Sequence, residues 1–173
     1  MLTGEVIKIK YAKIKPVDIS NGEGIRVSLF TSGCPHKCKG CFNSELWDYD
    51  AGEPFTFAVA NRLISLASKS YISGISLLGG EPLIPENQPL LMYFVKAFKR
   101  YYPNKTVWCY TGYEWDEVKN LDIMRYIDVL VDGKFIQELA DPRLRFRGSS
   151  NQRIIDVKKS LQSGQVFMRK DLM

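Results

Sequence analysis

Cys34, Cys38 and Cys41 fall within eight residues, in the run Thr31-Ser32-Gly33-Cys34-Pro35-His36-Lys37-Cys38-Lys39-Gly40-Cys41-Phe42. Thiolates are soft donors, and three of them spaced Cys-x3-Cys-x2-Cys converge on one metal centre. An iron–sulfur cube ordinarily takes four cysteines, one for each iron. Three leave one iron open to an outside ligand, and an open position separates reactive metal sites from structural ones. A disulfide framework does not suit the run, since pairing two thiols strands the third and no secretory leader is expected ahead of them. Structural zinc is the competing reading, with His36 as the fourth ligand. Zinc modules, however, normally split their ligands into two separated pairs. From spacing alone, both cluster and zinc stay open.

A second motif bears on the choice. Gly74-Ile75-Ser76-Leu77-Leu78-Gly79-Gly80-Glu81-Pro82-Leu83 reads as a short apolar strand that runs into a glycine pair, an acid and a proline. Glycines at a strand's end let backbone groups approach a ligand with no Cβ in the way. An ordinary strand-to-loop connection has the same composition.

Taken together, a strand ending in Cys-x3-Cys-x2-Cys-aromatic and a later strand ending in Gly-Gly-Glu-Pro resemble the radical S-adenosylmethionine enzymes. The resemblance implies a [4Fe–4S] cluster on Cys34, Cys38 and Cys41, with the open iron chelated by the amino and carboxylate groups of S-adenosylmethionine. It also implies that Gly79, Gly80, Glu81 and Pro82 meet the methionine ammonium, while Gly40, Cys41 and Phe42 lie against the nucleoside. Carbonyl-to-ammonium hydrogen bonds are charge-assisted, and an aromatic face suits adenine.

Further runs narrow the likeness. Pro16 to Arg26, ahead of the first core strand, resembles the same segment of the glycyl-radical-enzyme activases. Trp108 to Tyr113, Val131 to Phe135 and Arg147 to Gln152 are similar to the branch that activates anaerobic (class III) ribonucleoside-triphosphate reductases. Phe42 stands where that pattern commonly has Tyr, and the ring is retained. The likeness covers about Tyr11 to Arg153, and residues 157–173 match no known pattern. What it implies is reductive cleavage of S-adenosylmethionine to methionine and a 5′-deoxyadenosyl radical, which makes a glycyl radical on the reductase's large subunit. The electron comes from an external one-electron donor. No side chain is required as a catalytic acid or base, because the cofactors carry the hard step. The alternatives are an activase of pyruvate formate-lyase or another glycyl radical enzyme, a small-molecule radical enzyme such as a deazaguanine synthase, and a non-catalytic zinc-binding module.

Composition sets outer bounds. With 173 residues, 45% of them hydrophobic and 25% charged, the chain is long enough for a sizeable core and ordinary for a soluble globule. No apolar run reaches transmembrane length, so no membrane association is expected. Four cysteines without a leader fit a reducing, cytoplasmic setting. The net charge of +5 comes from 24 Lys and Arg scattered among 19 acids, which reads as a solvated basic surface and not as a nucleic-acid site.

The elements that must position these motifs alternate between strand and helix. Glu5 to Tyr11 alternates apolar and basic residues like an edge strand. Val27 to Thr31 feeds the cysteine loop, and Ile75 to Leu78 feeds the glycine turn. Phe57 to Ser70 is helical by the spacing of Val59, Leu63, Leu66 and Ala67. Pro89 opens another helix, which runs to about Tyr101 before Pro103. Thr106 to Tyr110 and Asp128 to Asp132 read as strands, with a short helix from Trp115 to Leu121 between them. The alternation predicts an α/β fold with a mostly parallel sheet and helices outside. The chain is too short for an eightfold barrel, so an open, partial (βα) barrel of the radical S-adenosylmethionine type is expected, with its site at the strands' C-terminal ends. A single domain over 1–173 is expected, with a core of about 16–135 and a C-terminal extension of about 136–173.

Several residues invite plainer accounts. Cys109 lies inside a strand and reads as a buried structural thiol. His36, the chain's only histidine, reads as solvent-facing or as a neighbour of the ligands. Asp132 and Lys134 fit either a polar turn at Gly133 or contact with the nucleotide moiety. Arg143, Arg145 and Arg147 read as a solvated loop by default, or as a docking point for a protein partner.

Overall fold

The β-branched and aliphatic runs pair into one seven-stranded sheet in the computed structural model, which describes residues 9–173. In chain order its elements are β1 (Lys10–Asp18), β2 (Ile25–Thr31), β3 (Glu53–Pro54), α1 (Phe57–Leu66), β4 (Ile72–Gly79), α2 (Gln88–Tyr101), β5 (Thr106–Tyr110), α3 (Trp115–Val118), β6 (Val129–Asp132), β7 (Arg153–Asp156) and α4 (Val157–Ser163). The spatial order is β3-β1-β2-β4-β5-β6-β7. Strands β2, β4, β5 and β6 run parallel, and β1, β3 and β7 are added antiparallel at the flanks. A parallel pair needs a long crossover, and the segments carrying α1, α2 and α3 supply one for each of the three parallel pairs.

Strand period puts alternate side chains on opposite faces. Val27, Leu29, Ile75, Leu77, Val107, Cys109 and Leu130 join Ala60, Leu63, Leu91, Phe94 and Phe98 of the helices in one large core. The opposite face carries two smaller clusters, Trp108 with Val129, Val131, Ile154 and Leu172, and Phe30 with Leu46 and Leu78.

Local signals account for most of the boundaries. Thr56 caps α1 by accepting from the Val59 N–H at 3.3 Å. Helix α1 ends at Leu66, short of the expected Ser70, where serines compete with the helical backbone. Helix α2 has Pro89 in its first turn and Lys99 and Arg100 in its last, each suited to the helix dipole or to the missing N–H.

The first strand departs from expectation. Residues 5–8 lie outside the described residues, and β1 runs from Lys10 to Asp18 through Pro16. A register shift between Lys15 and Asp18 accommodates the proline, as bulges commonly do. β1 is one place in from the edge, with the two-residue β3 outside it. The segment after Asp156 is ordered locally: Asp156 caps α4 through the Lys159 N–H at 3.0 Å, and Gly164 ends it with φ 72°.

Candidate active site

Parallel registry brings the two motifs together. Thr31 pairs with Gly79, so the cysteine loop leaves β2 beside the point where the glycine turn leaves β4. The exits of β5 and β6 open at the same edge, the usual place for a ligand in a sheet of this kind. There a cavity of about 320 Å³ is lined by all three clustered cysteines together with Phe42, Gly79, Gly80 and Glu81. That volume lies within the range of small-molecule sites, roughly 300–1,000 Å³. Gly40 and Pro82 are outside the lining: Gly40 packs under Gln137, and Pro82 is buried behind the turn.

Cys34 is buried, and Cys38 and Cys41 are half-buried; all three thiols are free. Burial pushes the Cys34 thiol up, and the backbone N–H groups of His36 and Lys37 partly oppose it. Burial also pushes up Cys38, against a backbone N–H from Phe135 and the charge of Lys134. The Cys41 sulfur accepts from the Asn43 N–H at 3.4 Å. The thiols share one cavity wall without closing on a single point, and among the described residues no group of three or more His, Cys, Asp or Glu could hold one metal ion. Cys109 lies on the other face of the sheet, fully buried among helix contacts, and burial raises its thiol well above the ordinary range. The buried position expected for Cys109 is observed.

The glycine pair works first as packing between loops. A Cβ on Gly80 would strike the Gly33 carbonyl and come within 2.9 Å of the Leu46 oxygen. The close approach that the sequence assigns to a ligand is therefore also an approach of one loop to another. A bulky side chain at Gly80 would press on the stem of the cysteine loop as well as on a ligand. Glu81 is fully buried, and its carboxylate takes four hydrogen bonds. Oε1 accepts from the Leu83 N–H at 3.0 Å and the Thr111 hydroxyl at 2.8 Å; Oε2 accepts from the Gly112 N–H and from His36 Nε2, both at 2.8 Å. A carboxylate saturated in this way has no lone pair to spare for a further donor.

The far wall comes from two runs that the sequence places apart. Gln152 donates to the Gly133 carbonyl at 2.9 Å and accepts from the Gly148 N–H at 2.8 Å. Asn151 donates to the Lys134 carbonyl at 2.9 Å, and Arg147 donates to the Gln152 carbonyl at 2.7 Å. Residues 147–152 thus knot the strand-end turn of β6 to the cavity wall. Asp132 is buried and accepts from Arg153 Nε at 3.0 Å and from the Trp115 N–H at 2.9 Å, and it is not part of the cavity lining. The three arginines diverge: Arg143 pairs with Asp141, Arg145 lies 5.2 Å from the Phe146 ring centre, and Arg147 is part of the knot.

Sequence reasoning missed Trp47, Tyr110, Phe135, Phe146 and Gln152 as cavity residues. Strand period gives a signal for Tyr110, which shares a face with Trp108. The others sit on irregular segments, where periodicity says nothing. His36 is nearly buried, which removes the solvent-facing reading.

A family model described as a 4Fe-4S single cluster domain matches residues 20–155. The chain is 45% identical over 148 residues to the anaerobic ribonucleoside-triphosphate reductase-activating protein of Escherichia coli (strain K12), covering 83% of this chain and 96% of that protein. The protein of the same name in Haemophilus influenzae matches at 45% over 148 residues, again 83% and 96% of the two chains. The corresponding protein of Enterobacteria phage T4 matches at 42% over 146 residues, 84% of this chain and 93% of the relative.

Proposed function

The chain belongs to the family of anaerobic ribonucleoside-triphosphate reductase-activating proteins, and from that premise we propose that it makes a glycyl radical on such a reductase. One observation carries the reading: the three cysteines and the Gly79–Glu81 turn, though far apart in sequence, line a single cavity. The donor set fits a [4Fe–4S] cluster. Three soft thiolates leave one iron of the cube open, whereas a closed zinc site needs a fourth ligand, and the Nε2 of His36 is already bonded to Glu81 at 2.8 Å. Cys34, Cys38 and Cys41 would hold it, leaving one iron for the amino and carboxylate groups of S-adenosylmethionine.

When bound, the pair supplies one-electron cleavage of the carbon–sulfur bond, giving methionine and a 5′-deoxyadenosyl radical that takes a hydrogen atom from a glycine Cα. The chain's part is to bind, orient and exclude water. The backbone of Gly79 and Gly80 would offer carbonyls to the methionine ammonium. Glu81, whose own carbonyl accepts from Asn87 Nδ2 at 3.0 Å, holds the turn in place, and Pro82 and Gly40 set the backbone course beside it. Cys41 and Phe42 face the nucleoside, with the Phe42 ring against Phe135 at 5.3 Å between centroids. We take the sheet as an open, partial (βα) barrel of the radical S-adenosylmethionine type, and the setting as a reducing cytoplasm with an external electron donor. Among the described residues, no helix is long and apolar enough to cross a membrane.

The test is anaerobic incubation of reduced protein with S-adenosylmethionine and the reductase's large subunit, read by electron paramagnetic resonance. A doublet from a glycine Cα radical, altered on deuteration of that glycine, is the expected result. Cleavage of S-adenosylmethionine coupled to conversion of a free small molecule, with no glycyl signal, would overturn the proposal.

A further inference from the structure

We propose that His36 is a positioning residue: through Glu81 it locks the apex of the cysteine loop to the glycine turn, fixing the span that S-adenosylmethionine must bridge. The inference rests on the reading above, in which the two loops hold opposite ends of one ligand complex.

The stem of the cysteine loop needs no side chain to hold it. Gly80 N–H donates to the Thr31 carbonyl at 2.8 Å, Glu81 N–H to the Gly33 carbonyl at 2.7 Å, and Cys34 N–H to the Trp47 carbonyl at 3.2 Å. These bonds stop at Cys34. Between Cys34 and Cys38, among the described residues, the His36 side chain makes the one hydrogen bond that leaves the loop. Its partner is already immobile, because Leu83, Thr111 and Gly112 hold the other acceptor positions of Glu81. A carboxylate offers acceptors, so the protonated ring nitrogen here is Nε2.

The surroundings are built for an imidazole. The His36 ring meets Tyr113 edge-on, with centroids 4.5 Å apart and planes at 77°. Gly112 lies against the ring, and a Cβ there would come within 2.7 Å of Nε2. Only 7% of the His36 side chain is exposed. Glu81 thus serves as the anchor and His36 as the strap. A ligand held jointly by the cluster and the turn binds tightly when the two are fixed in advance, and it must itself order them when they are not.

The experiment compares His36→Leu and His36→Gln with wild type, each carrying a reconstituted cluster. Affinity for S-adenosylmethionine is measured per intact cluster by equilibrium dialysis, and the reduced cluster's paramagnetic resonance signal is recorded with and without it. His36→Leu should keep its iron and sulfide but lose about 10- to 100-fold in affinity. Its signal should not shift at a concentration that saturates wild type. His36→Gln, which keeps an amide donor at similar reach, should recover most of both. Wild-type affinity in His36→Leu would overturn the proposal, as would a Gln variant no better than Leu. Should His36→Leu not fold, Thr111→Val carries the test: it loosens the anchor without touching the cysteine loop, so weaker binding is expected and unchanged binding overturns the idea. If wild type itself shows no cluster or no response to S-adenosylmethionine, the functional reading falls and not the strap.

Discussion

The two faces of the sheet are made from alternate residues of the same strands, yet they carry different kinds of structure. On β5, Val107 and Cys109 enter the helix-covered core, while Trp108 and Tyr110 turn to the other side. The helix side is one continuous apolar cluster. The cavity side is broken into small clusters and buries the Arg26 guanidinium, which donates to Ser76 Oγ at 2.7 Å and to the Ile75 and Thr106 carbonyls at 2.6 and 2.9 Å. Burial away from water lowers Arg26 to about 10. Trp47, Tyr110 and Arg147 each place beside the cavity a buried polar atom that has no hydrogen-bond partner among the described residues. Among the described residues, the non-glycine positions with positive φ are Lys37 and Phe146, one in the cysteine loop and one in the cavity wall. One face stabilises the fold, and the other spends part of that stability on strain and unmet polarity, as functional sites do.

Cysteine appears on both faces, which gives the sharpest way to break the contrast. Cys38→Ala should abolish the brown chromophore and the activating reaction while leaving the chain folded. Cys109→Ala should keep its full iron and sulfide and cost about 1 kcal/mol of stability, as modest core truncations do. Loss of the chromophore in Cys109→Ala, or its retention in Cys38→Ala, would mean that the faces do not divide the work. Iron and sulfide assays on anaerobically purified protein, with urea titration of each variant, decide the matter.

Aromatic residues allow a second comparison at smaller scale. Phe94 is fully buried in the helix-side core, whereas Phe42 is 77% exposed at the cavity rim. Phe94→Ala should lower the unfolding free energy by about 3–5 kcal/mol, read as a shift in the urea midpoint. Phe42→Ala should stay within about 0.5 kcal/mol of wild type in the same titration. It should nevertheless weaken S-adenosylmethionine binding by about 1 kcal/mol, the scale of one aromatic contact. A destabilised Phe42→Ala with normal affinity would reassign that ring to packing.

The same division explains what could be read from sequence. Strands β2, β4, β5 and β6 are buried apolar runs, and Pro89 marks a helix start, so these elements follow from composition and period. The cysteines and the glycine turn declare themselves because their chemistry demands particular residue types at short spacing. The part of β1 beyond Tyr11 is hidden because its register breaks near Pro16, and β7 contributes only the four residues Arg153–Asp156, two of them buried, too short a run for period to speak. The His36–Glu81 contact joins residues 45 positions apart and depends on the pairing of Thr31 with Gly79, which no local pattern contains. The role of residues 147–152 is likewise hidden: their partners, Gly133 and Lys134, are reached only after β7 turns back along β6.

Backbone strain gives the finest test of the contrast. Lys37 has φ 46°, a left-handed conformation that costs a residue with a Cβ about 1 kcal/mol or more. Its place is fixed by the loop, since its neighbour His36 is tied to Glu81 at 2.8 Å. Glycine adopts this φ without steric cost but loses more freedom on folding, roughly 0.5–1 kcal/mol. The two effects nearly offset, so Lys37→Gly should change stability by less than about 1 kcal/mol, in the stabilising direction where steric relief wins. A β-branched residue cannot relax in this way, and Lys37→Val should destabilise by about 1–3 kcal/mol. Thermal melts of both variants check the pair. If Val is tolerated as well as Gly, the loop can leave its left-handed turn freely, and the strain assigned to the cavity side would reduce to that of Phe146.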